Sequence, residues 1–208
     1  MAPSPWLLDD VRVMESVTAG YLYQQRKLFR DAAMIMMDGS LTLDAMETIA
    51  RLAAKYQVPL CADPSSTRLT YKLRPFLSQL HLVVPNEMEA AALLEVDFFG
   101  HDPDTSLDLA RLLVHAGVDN AVLTLSDFGL DYATSDETGY IPARYSQIVD
   151  NTGTGDAVTA AIIFGLINDL PPSKPSAWAR PPPASPCKPT KPWCPTSAST
   201  CLYDHLIV

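Results

Sequence analysis

From about residue 11 to residue 170, short apolar runs alternate with segments whose apolar residues recur every three or four positions. A short apolar run that ends at turn residues predicts a buried strand, whereas the three-to-four spacing predicts an amphipathic helix. The predicted strands are 32–37, 59–62, 82–84 and 121–125, with further β structure over 130–134 and 140–149.

Helices are predicted from the same spacing together with capping residues. Thr42 can cap a helix whose apolar residues continue at helical spacing to Tyr56. Thr105 and Asp108 resemble a capping box that opens another helix, which Gly117 would end. The remaining predicted helices cover 72–79, 87–94 and the apolar run that follows residue 155.

Strands that are apolar throughout and alternate with helices are typical of a parallel sheet covered by helices on both faces. We therefore predict an α/β fold with a mostly parallel central sheet. Ligands of such sheets bind at the carboxyl ends of the strands, where loops lead into helix N-termini. Candidate chemistry is expected at those ends.

The composition of the chain changes abruptly after residue 170. Ten of the 18 prolines lie between Pro171 and Pro195, and no glycine follows Gly165. Proline at this density removes backbone donors and prevents both helices and central strands. The sequence thus predicts three regions, namely an irregular or helical segment over 1–24, a folded domain over 25–170 and a disordered proline-rich tail over 171–208.

Charge and hydropathy narrow the class of protein. The formal net charge of −9 argues against a nucleic-acid binder, which would present a basic face. The N-terminus does not resemble a signal peptide, and no apolar stretch reaches the roughly 18 residues that span a bilayer. The four cysteines match neither a zinc pattern nor a disulfide framework. We expect a cytoplasmic globular protein without nucleic-acid or membrane partners.

The segment from Val149 to Ala157, VDNTGTGDA, is the first candidate for chemistry. Gly153 and Gly155 allow a tight bend that approaches a ligand closely. The free amides and the positive dipole end of the following helix suit a phosphoryl group at that bend. Asp156 could then accept a proton from a substrate hydroxyl. Taken alone, the pattern favours the alternative that Asp156 only complements the helix dipole.

Asn86 and Glu89 form the second candidate, where the predicted strand at 82–84 leads into a helix. Their spacing of three places an amide and a carboxylate on one helix face, where they could orient phosphate oxygens and a hydrated Mg²⁺. Taken alone, this pair is more typical of a capping box.

Together the two motifs resemble the ribokinase-like carbohydrate kinases, also called the PfkB family. The segment from Asp150 to Asp156 resembles the family signature aspartate-threonine-x-glycine-alanine-glycine-aspartate, with the threonine displaced and a second threonine in place of alanine. The pair Asn86 and Glu89 resembles the family's asparagine-x-x-glutamate motif.

Two further segments carry the resemblance, which covers roughly residues 25–170. The segment Thr124 to Gly129 is similar to the family's nucleotide-contacting loop, although Ser126 stands where glycine is usual. The tripeptide Asp63-Pro64-Ser65 also fits a family position. The run from there to residue 86 is most similar to pseudouridine kinases.

The resemblance implies transfer of the γ-phosphoryl group of ATP, with Mg²⁺, to a hydroxymethyl group of a sugar or nucleoside, and it favours a pseudouridine-like acceptor. It is also compatible with a homodimer. It implies that Asp156 is the general base, with the amides of Gly153, Thr154, Gly155 and Asp156 as an anion hole. Glu89 would lie near Mg²⁺. The implied nucleotide and phosphate contacts are Asn86, Thr124, Ser126, Gly129 and Thr152.

Parts of the family pattern have no counterpart in the sequence. Family members carry upstream segments with a substrate-binding aspartate, a paired-glycine motif and a β lid, and downstream helices that close over the adenine. We therefore expect a chain truncated at both ends, a tail translated from a shifted frame or alternative exon, and impaired phosphoryl transfer. The alternative is a catalytically silent nucleotide-binding or scaffolding domain whose proline-rich tail docks a partner.

Overall fold

A computed structural model describes residues 11–143 and 153–168, which are built around a six-stranded sheet. Strands β1 to β4 run parallel, and β5 and β6 extend the sheet in antiparallel pairing. The strands lie in chain order and are β1 (Ile35–Asp38), β2 (Leu60–Asp63), β3 (Leu82–Val83), β4 (Asn120–Thr124), β5 (Gly129–Thr134) and β6 (Thr138–Pro142). The predicted α/β class and mostly parallel sheet are confirmed.

Six α-helices accompany the sheet within the described residues. They are α1 (Ala19–Gln24), α2 (Arg26–Asp31), α3 (Leu43–Tyr56), α4 (Glu87–Leu94), α5 (Pro103–His115) and α6 (Thr154–Ile167). Short 3₁₀ segments occur at Arg12–Ser16, Thr70–Lys72, Arg74–Gln79 and Ser126–Phe128. No helix in these ranges is long and apolar enough to cross a membrane.

Side chains on the strands alternate between two apolar layers on opposite faces of the sheet. On β2, Leu60 and Ala62 pack into the layer that also contains buried residues of α1, α3, α4 and α5. The intervening Cys61 packs into the second layer, together with Ile162 of α6. Helices therefore cover both faces, as the sequence predicted, and α6 is the described helix of the second face.

Helices α3 and α4 lie where local sequence signals placed them. The Thr42 hydroxyl oxygen accepts a hydrogen bond from the amide of Ala45 at 3.3 Å, which caps α3. The apolar side of α3, including Met46 and Ile49, is buried against the sheet. Such a cap contributes about 1 kcal/mol to helix stability. Helix α4 covers the predicted residues 87–94.

The predicted start of α5 was wrong. Helix α5 begins at Pro103, and its N-cap is Asp102, whose carboxylate accepts from the amide of Thr105 at 3.0 Å. Thr105 is therefore the third helical residue, and Asp108 completes no capping box. Proline is favoured at the first helical position, because a backbone N–H there would have no intrahelical acceptor and its absence costs nothing. Gly117 follows the end of the helix with a φ of 107°, as predicted.

The segment predicted as a helix over 72–79 forms two 3₁₀ segments. Its hydrogen bonds run to the third preceding residue, as from the amide of Phe76 to the carbonyl of Leu73 at 2.9 Å. Pro75 donates no backbone hydrogen bond, which limits the length of a regular helix here. The later part of the β structure predicted over 140–149, and the tail at 171–208, lie outside the described residues.

Candidate active site

The carboxyl ends of the four parallel strands bring polar residues to one edge of the sheet. Asp38 ends β1, Asp63 ends β2, and Thr124 ends β4. Asn86 follows β3 and forms an isolated parallel bridge with Thr124. This edge is where an α/β sheet is expected to bind a ligand.

The glycine-rich bend leads into the first turn of α6. Gly153 is the N-cap residue, with a φ of 78° in the left-handed region that favours glycine. A Cβ added to Gly153 or to Gly155 would meet no described atom within 4 Å. As far as the described residues show, the space beside Gly153 and Gly155 at the start of α6 is open. Amides in the first turn of a helix point toward its N-terminal end, and the helix dipole adds positive potential there.

A buried hydrogen bond joins α6 to the carboxyl edge. The Thr159 hydroxyl donates to the Asp63 carboxylate at 3.1 Å, and Thr159 itself is buried. Asp156 precedes Thr159 by one helical turn, so both lie on the same side of α6. Asp156 is exposed, and its negative charge contributes to a raised pKa of Asp63. The first turn of α6 therefore lies near the end of β2.

Asp63 is also tied to the neighbouring strand β1. The amide of Ser65 donates to the Asp63 carboxylate at 2.9 Å, and the Ser65 hydroxyl donates to the Asp38 carboxylate. Burial raises the pKa of Asp63, and the charges of Asp38 and Asp156 act in the same direction. The hydrogen bonds from Ser65 and Thr159 oppose this rise. Negative charge is therefore concentrated at this edge.

Asn86 and Glu89 form the capping box that the sequence offered as the alternative to a ligand site. The amide of Asn86 donates to the Glu89 carboxylate, and the amide of Glu89 donates to the Asn86 side chain, both at 2.9 Å. Glu89 is only 6% exposed. Its pKa is raised to about 7, mainly by burial and also by the charge of Asp63, while the hydrogen bonds with Asn86 act to lower it. Glu89 is therefore both a capping residue and a buried carboxylate close to Asp63.

The carboxylates at this edge are compatible with a magnesium ion that keeps most of its water ligands. No group of three or more His, Cys, Asp or Glu residues among the described ones could hold a metal ion. Mg²⁺ usually keeps several waters and binds one or two carboxylates together with substrate phosphates. Burial raises the pKa of Asp63 and of Glu89, and a nearby cation would favour the ionised form of both carboxyl groups.

The loop after β4 carries the predicted nucleotide contacts. Ser126 has a φ of 54°, so a non-glycine residue occupies the left-handed conformation where the resemblance expected glycine. Gly129 has a φ of 122°, and a Cβ there would lie 2.0 Å from the carbonyl oxygen of Ile141. The amide of Leu125 donates to the Gly129 carbonyl at 2.9 Å and closes the loop. The conformation of this loop thus depends on glycine at 129.

The predicted site residues fall into three groups. The edge of the sheet holds Asn86, Glu89 and Thr124, and the loop that follows Thr124 carries Ser126 and Gly129. The start of α6 contributes Gly153, Thr154, Gly155 and Asp156. Thr152 lies outside the described residues.

Two polar residues of this edge were not identified as candidates from the sequence. Asp38 ends a predicted strand, so the rule for carboxyl ends could have identified it. Thr159 lies 96 residues from its partner Asp63, and no local pattern relates the two.

Comparisons of the sequence and of the structure with known proteins point to one family. Residues 14–175 match the pfkB family carbohydrate kinase. The pseudouridine kinase of Escherichia coli (strain K12) is 28% identical over 165 residues, which are 79% of this chain and 51% of that protein. The chain spans about half or less of the length of the curated relatives it matches.

Solved structures show the same fold. A carbohydrate kinase from Agrobacterium tumefaciens has a TM-score of 0.63 and 22% identity, covering 77% of this chain and 50% of its own. A ribokinase from Thermotoga maritima has a TM-score of 0.64 and 20% identity, covering 78% of this chain and 54% of its own.

Proposed function

Because the chain belongs to the pfkB family of carbohydrate kinases, we propose that it transfers the γ-phosphoryl group of ATP to a hydroxymethyl group of a sugar or nucleoside. The observation that carries this proposal is the position of α6, whose first turn is held near the carboxyl edge by the hydrogen bond from Thr159 to Asp63. That position brings the exposed Asp156 and the first-turn amides to the edge where this kind of sheet binds ligands.

Asp156 is the proposed general base. Its carboxylate accepts the proton of the substrate hydroxyl as the hydroxyl oxygen bonds to the γ-phosphorus, and the bond from phosphorus to the β,γ-bridging oxygen breaks. The amides from Gly153 to Asp156 then face the phosphoryl oxygens and stabilise their charge. Small residues at 153 and 155 support this role because they leave space beside the amides.

The proposed contacts with Mg²⁺, with the phosphates and with the rest of the nucleotide lie on other elements. Glu89 and Asn86 would hold a hydrated Mg²⁺ and the phosphates at the start of α4. When bound, Mg²⁺ supplies positive charge to the phosphate oxygens. Glu89 supports this role because it is a buried carboxylate with a raised pKa. We assign the remaining nucleotide contacts to Thr124, Ser126, Gly129 and Thr152.

A pseudouridine-like acceptor is the finer part of the proposal. It is supported by the 28% identity to the E. coli pseudouridine kinase over 79% of this chain. The likeness of the run from Asp63 to Asn86 to such kinases points the same way. A panel of pseudouridine, uridine, adenosine, ribose and fructose offered with labelled ATP tests this order of preference.

The proposed function is tested with Asp156→Asn and a matched control, Asp104→Asn. Asp104 is likewise an exposed aspartate in the first turn of a long helix, so both substitutions remove one favourable dipole contact. We expect calorimetry to show Mg-ATP binding by all three proteins. Turnover should fall at least about a hundredfold in Asp156→Asn and stay unchanged in Asp104→Asn.

Two outcomes would contradict the kinase proposal. Equal turnover in both variants would show that Asp156 only interacts favourably with the dipole of α6 and is not the base. Mg-ATP binding without turnover of any acceptor would favour the catalytically silent nucleotide-binding domain.

A further inference from the structure

His101 makes a contact with the proposed nucleotide loop that the sequence did not reveal. It lies in the segment before α5, and its ring stacks on that of Phe128 with centroids 4.0 Å apart and planes 13° from parallel. Phe128 immediately precedes Gly129 and ends the 3₁₀ turn that begins at Ser126. An aromatic pair of this geometry is attractive beyond its buried area.

The imidazole of His101 also forms a hydrogen bond with α4 through a ring nitrogen. Its Nδ1 lies 2.8 Å from the carboxylate of Glu87, the first residue of α4 and the neighbour of Asn86. The buried Ser106 of α5 donates to the same carboxylate oxygen. Glu87 and His101 are both mostly buried. The ring is therefore held between the start of α4 and the start of α5.

Asp131 adds a further reason for His101 to stay in place. This carboxylate on β5 is 2% exposed, and one of its oxygens has no hydrogen-bond partner among the described residues. The pKa of Asp131 is raised to about 6, mainly by burial and also by the charge of Glu87, while His101 acts to lower it. His101 thus lies close enough to both carboxylates to offset some of their repulsion.

The backbone of Phe128 is held by β6 and the residue that follows it, whereas its ring depends on His101. The Phe128 carbonyl accepts from the Tyr140 hydroxyl at 2.5 Å and from the amide of Ala143 at 3.1 Å. The Phe128 side chain is 52% exposed, so the stack with His101 is a main constraint on its position.

We propose that His101 is a positioning residue for the nucleotide side of the site. By stacking on Phe128 while bonded to Glu87, it holds the loop Ser126–Gly129 in a fixed relation to Asn86 at the start of α4. The inference rests on the proposed function, because the position of this loop affects Mg-ATP binding only if the loop contacts the nucleotide.

The test combines two single variants of the 208-residue chain, His101→Ala and Phe128→Leu, with their double variant. Amide hydrogen exchange over 125–129, measured without nucleotide, reports the loop directly, because the amides of Leu125 and Phe128 form its internal hydrogen bonds. Calorimetry with Mg-ATP reports binding. His115→Ala is the matched control, since His115 is an exposed histidine of α5 whose ring contacts only a backbone carbonyl among the bonds described.

We expect exchange over 125–129 to become about tenfold faster in each single variant, and Mg-ATP binding to weaken by a similar factor. Both substitutions delete the same contact, so the double variant should be no worse than the more affected single variant. His115→Ala should match the wild type. Because Phe128 is half-exposed, Phe128→Leu is expected to fold even where His101→Ala does not.

Three results would overturn the inference. The first is wild-type exchange over 125–129 in the single variants. The second is an additive double variant, which would show two independent effects. The third is faster exchange with unchanged Mg-ATP affinity. Failure of the wild type to bind Mg-ATP would instead overturn the proposed function, and the exchange data, taken without nucleotide, would still decide whether His101 holds the loop.

Discussion

Thr159 and Asp63 are joined by a 3.1 Å hydrogen bond that links the helix carrying the proposed base to the end of a central strand. The two residues lie 96 positions apart, in α6 and β2. The bond fixes the side of α6 that faces the sheet edge, and Asp156 lies on that side one turn earlier. The orientation of the proposed base therefore depends on a contact outside the glycine motif.

Thr159→Val tests this dependence, because valine keeps the shape of threonine and removes the hydroxyl. The substitution leaves an oxygen of Asp63 without its donor, so we expect the free energy of unfolding to fall by about 1–2 kcal/mol. Turnover should fall more than Mg-ATP affinity, since the base moves while the nucleotide contacts stay. Urea unfolding and steady-state kinetics measure both, and Thr159→Ser, which keeps the donor, should behave as the wild type. Equal kinetics in the two variants would show that the bond is only structural.

Gly155→Ala separates a site role from a structural role for the second glycine. Gly155 is the second residue of α6, where alanine is favoured over glycine by up to about 1 kcal/mol, and the added methyl group meets no described atom within 4 Å. We therefore expect a stability equal to or greater than that of the wild type. Phosphoryl transfer should fall at least tenfold, because the methyl group enters the space proposed for the phosphoryl oxygens. A variant that is more stable and fully active would contradict the anion-hole assignment.

Local signals explain which elements could be predicted. Helices α3 and α4 were placed correctly because Thr42 and Asn86 are caps followed directly by helical spacing. The start of α5 was misplaced because Asp102 and Thr105 are both capping residues three positions apart. Only Pro103, which suits the first helical position, distinguishes them.

The site could be predicted only as far as its parts are contiguous in sequence. The bend at Gly153 and the pair Asn86 and Glu89 each lie within a few residues, so each could be identified as a candidate from the sequence. The stack of His101 on Phe128 and the bond between Thr159 and Asp63 join distant segments. No periodicity encodes such contacts, because they arise from how helices pack on the sheet.

Ser126→Gly should stabilise the protein. Ser126 has a φ of 54°, which costs a residue with a Cβ about 1 kcal/mol that glycine avoids. We expect a gain of up to about 1 kcal/mol in the free energy of unfolding, reduced by the greater entropy of glycine in the unfolded chain. Ser126→Ala is the control, since alanine keeps the Cβ and should bring no gain. Chemical denaturation compares the three proteins, and a loss of stability in the glycine variant would contradict the strain at this position.

Asp131 should make stability depend on pH in the opposite direction to a salt-bridged carboxylate. Burial raises its pKa to about 6, so the folded state binds this proton more tightly than the unfolded state, whose pKa is about 3.9. The contribution is complete below pH of about 4 and is lost as the pH rises through about 6. At roughly 1.4 kcal/mol per pKa unit, the wild type should lose about 2 kcal/mol relative to Asp131→Asn between pH 4.5 and 7.5. Urea unfolding at the two pH values measures this, with Asp136→Asn as an exposed control that keeps the wild-type dependence. Parallel pH profiles for the wild type and Asp131→Asn would show that the Asp131 carboxylate is not held in an unfavourable environment.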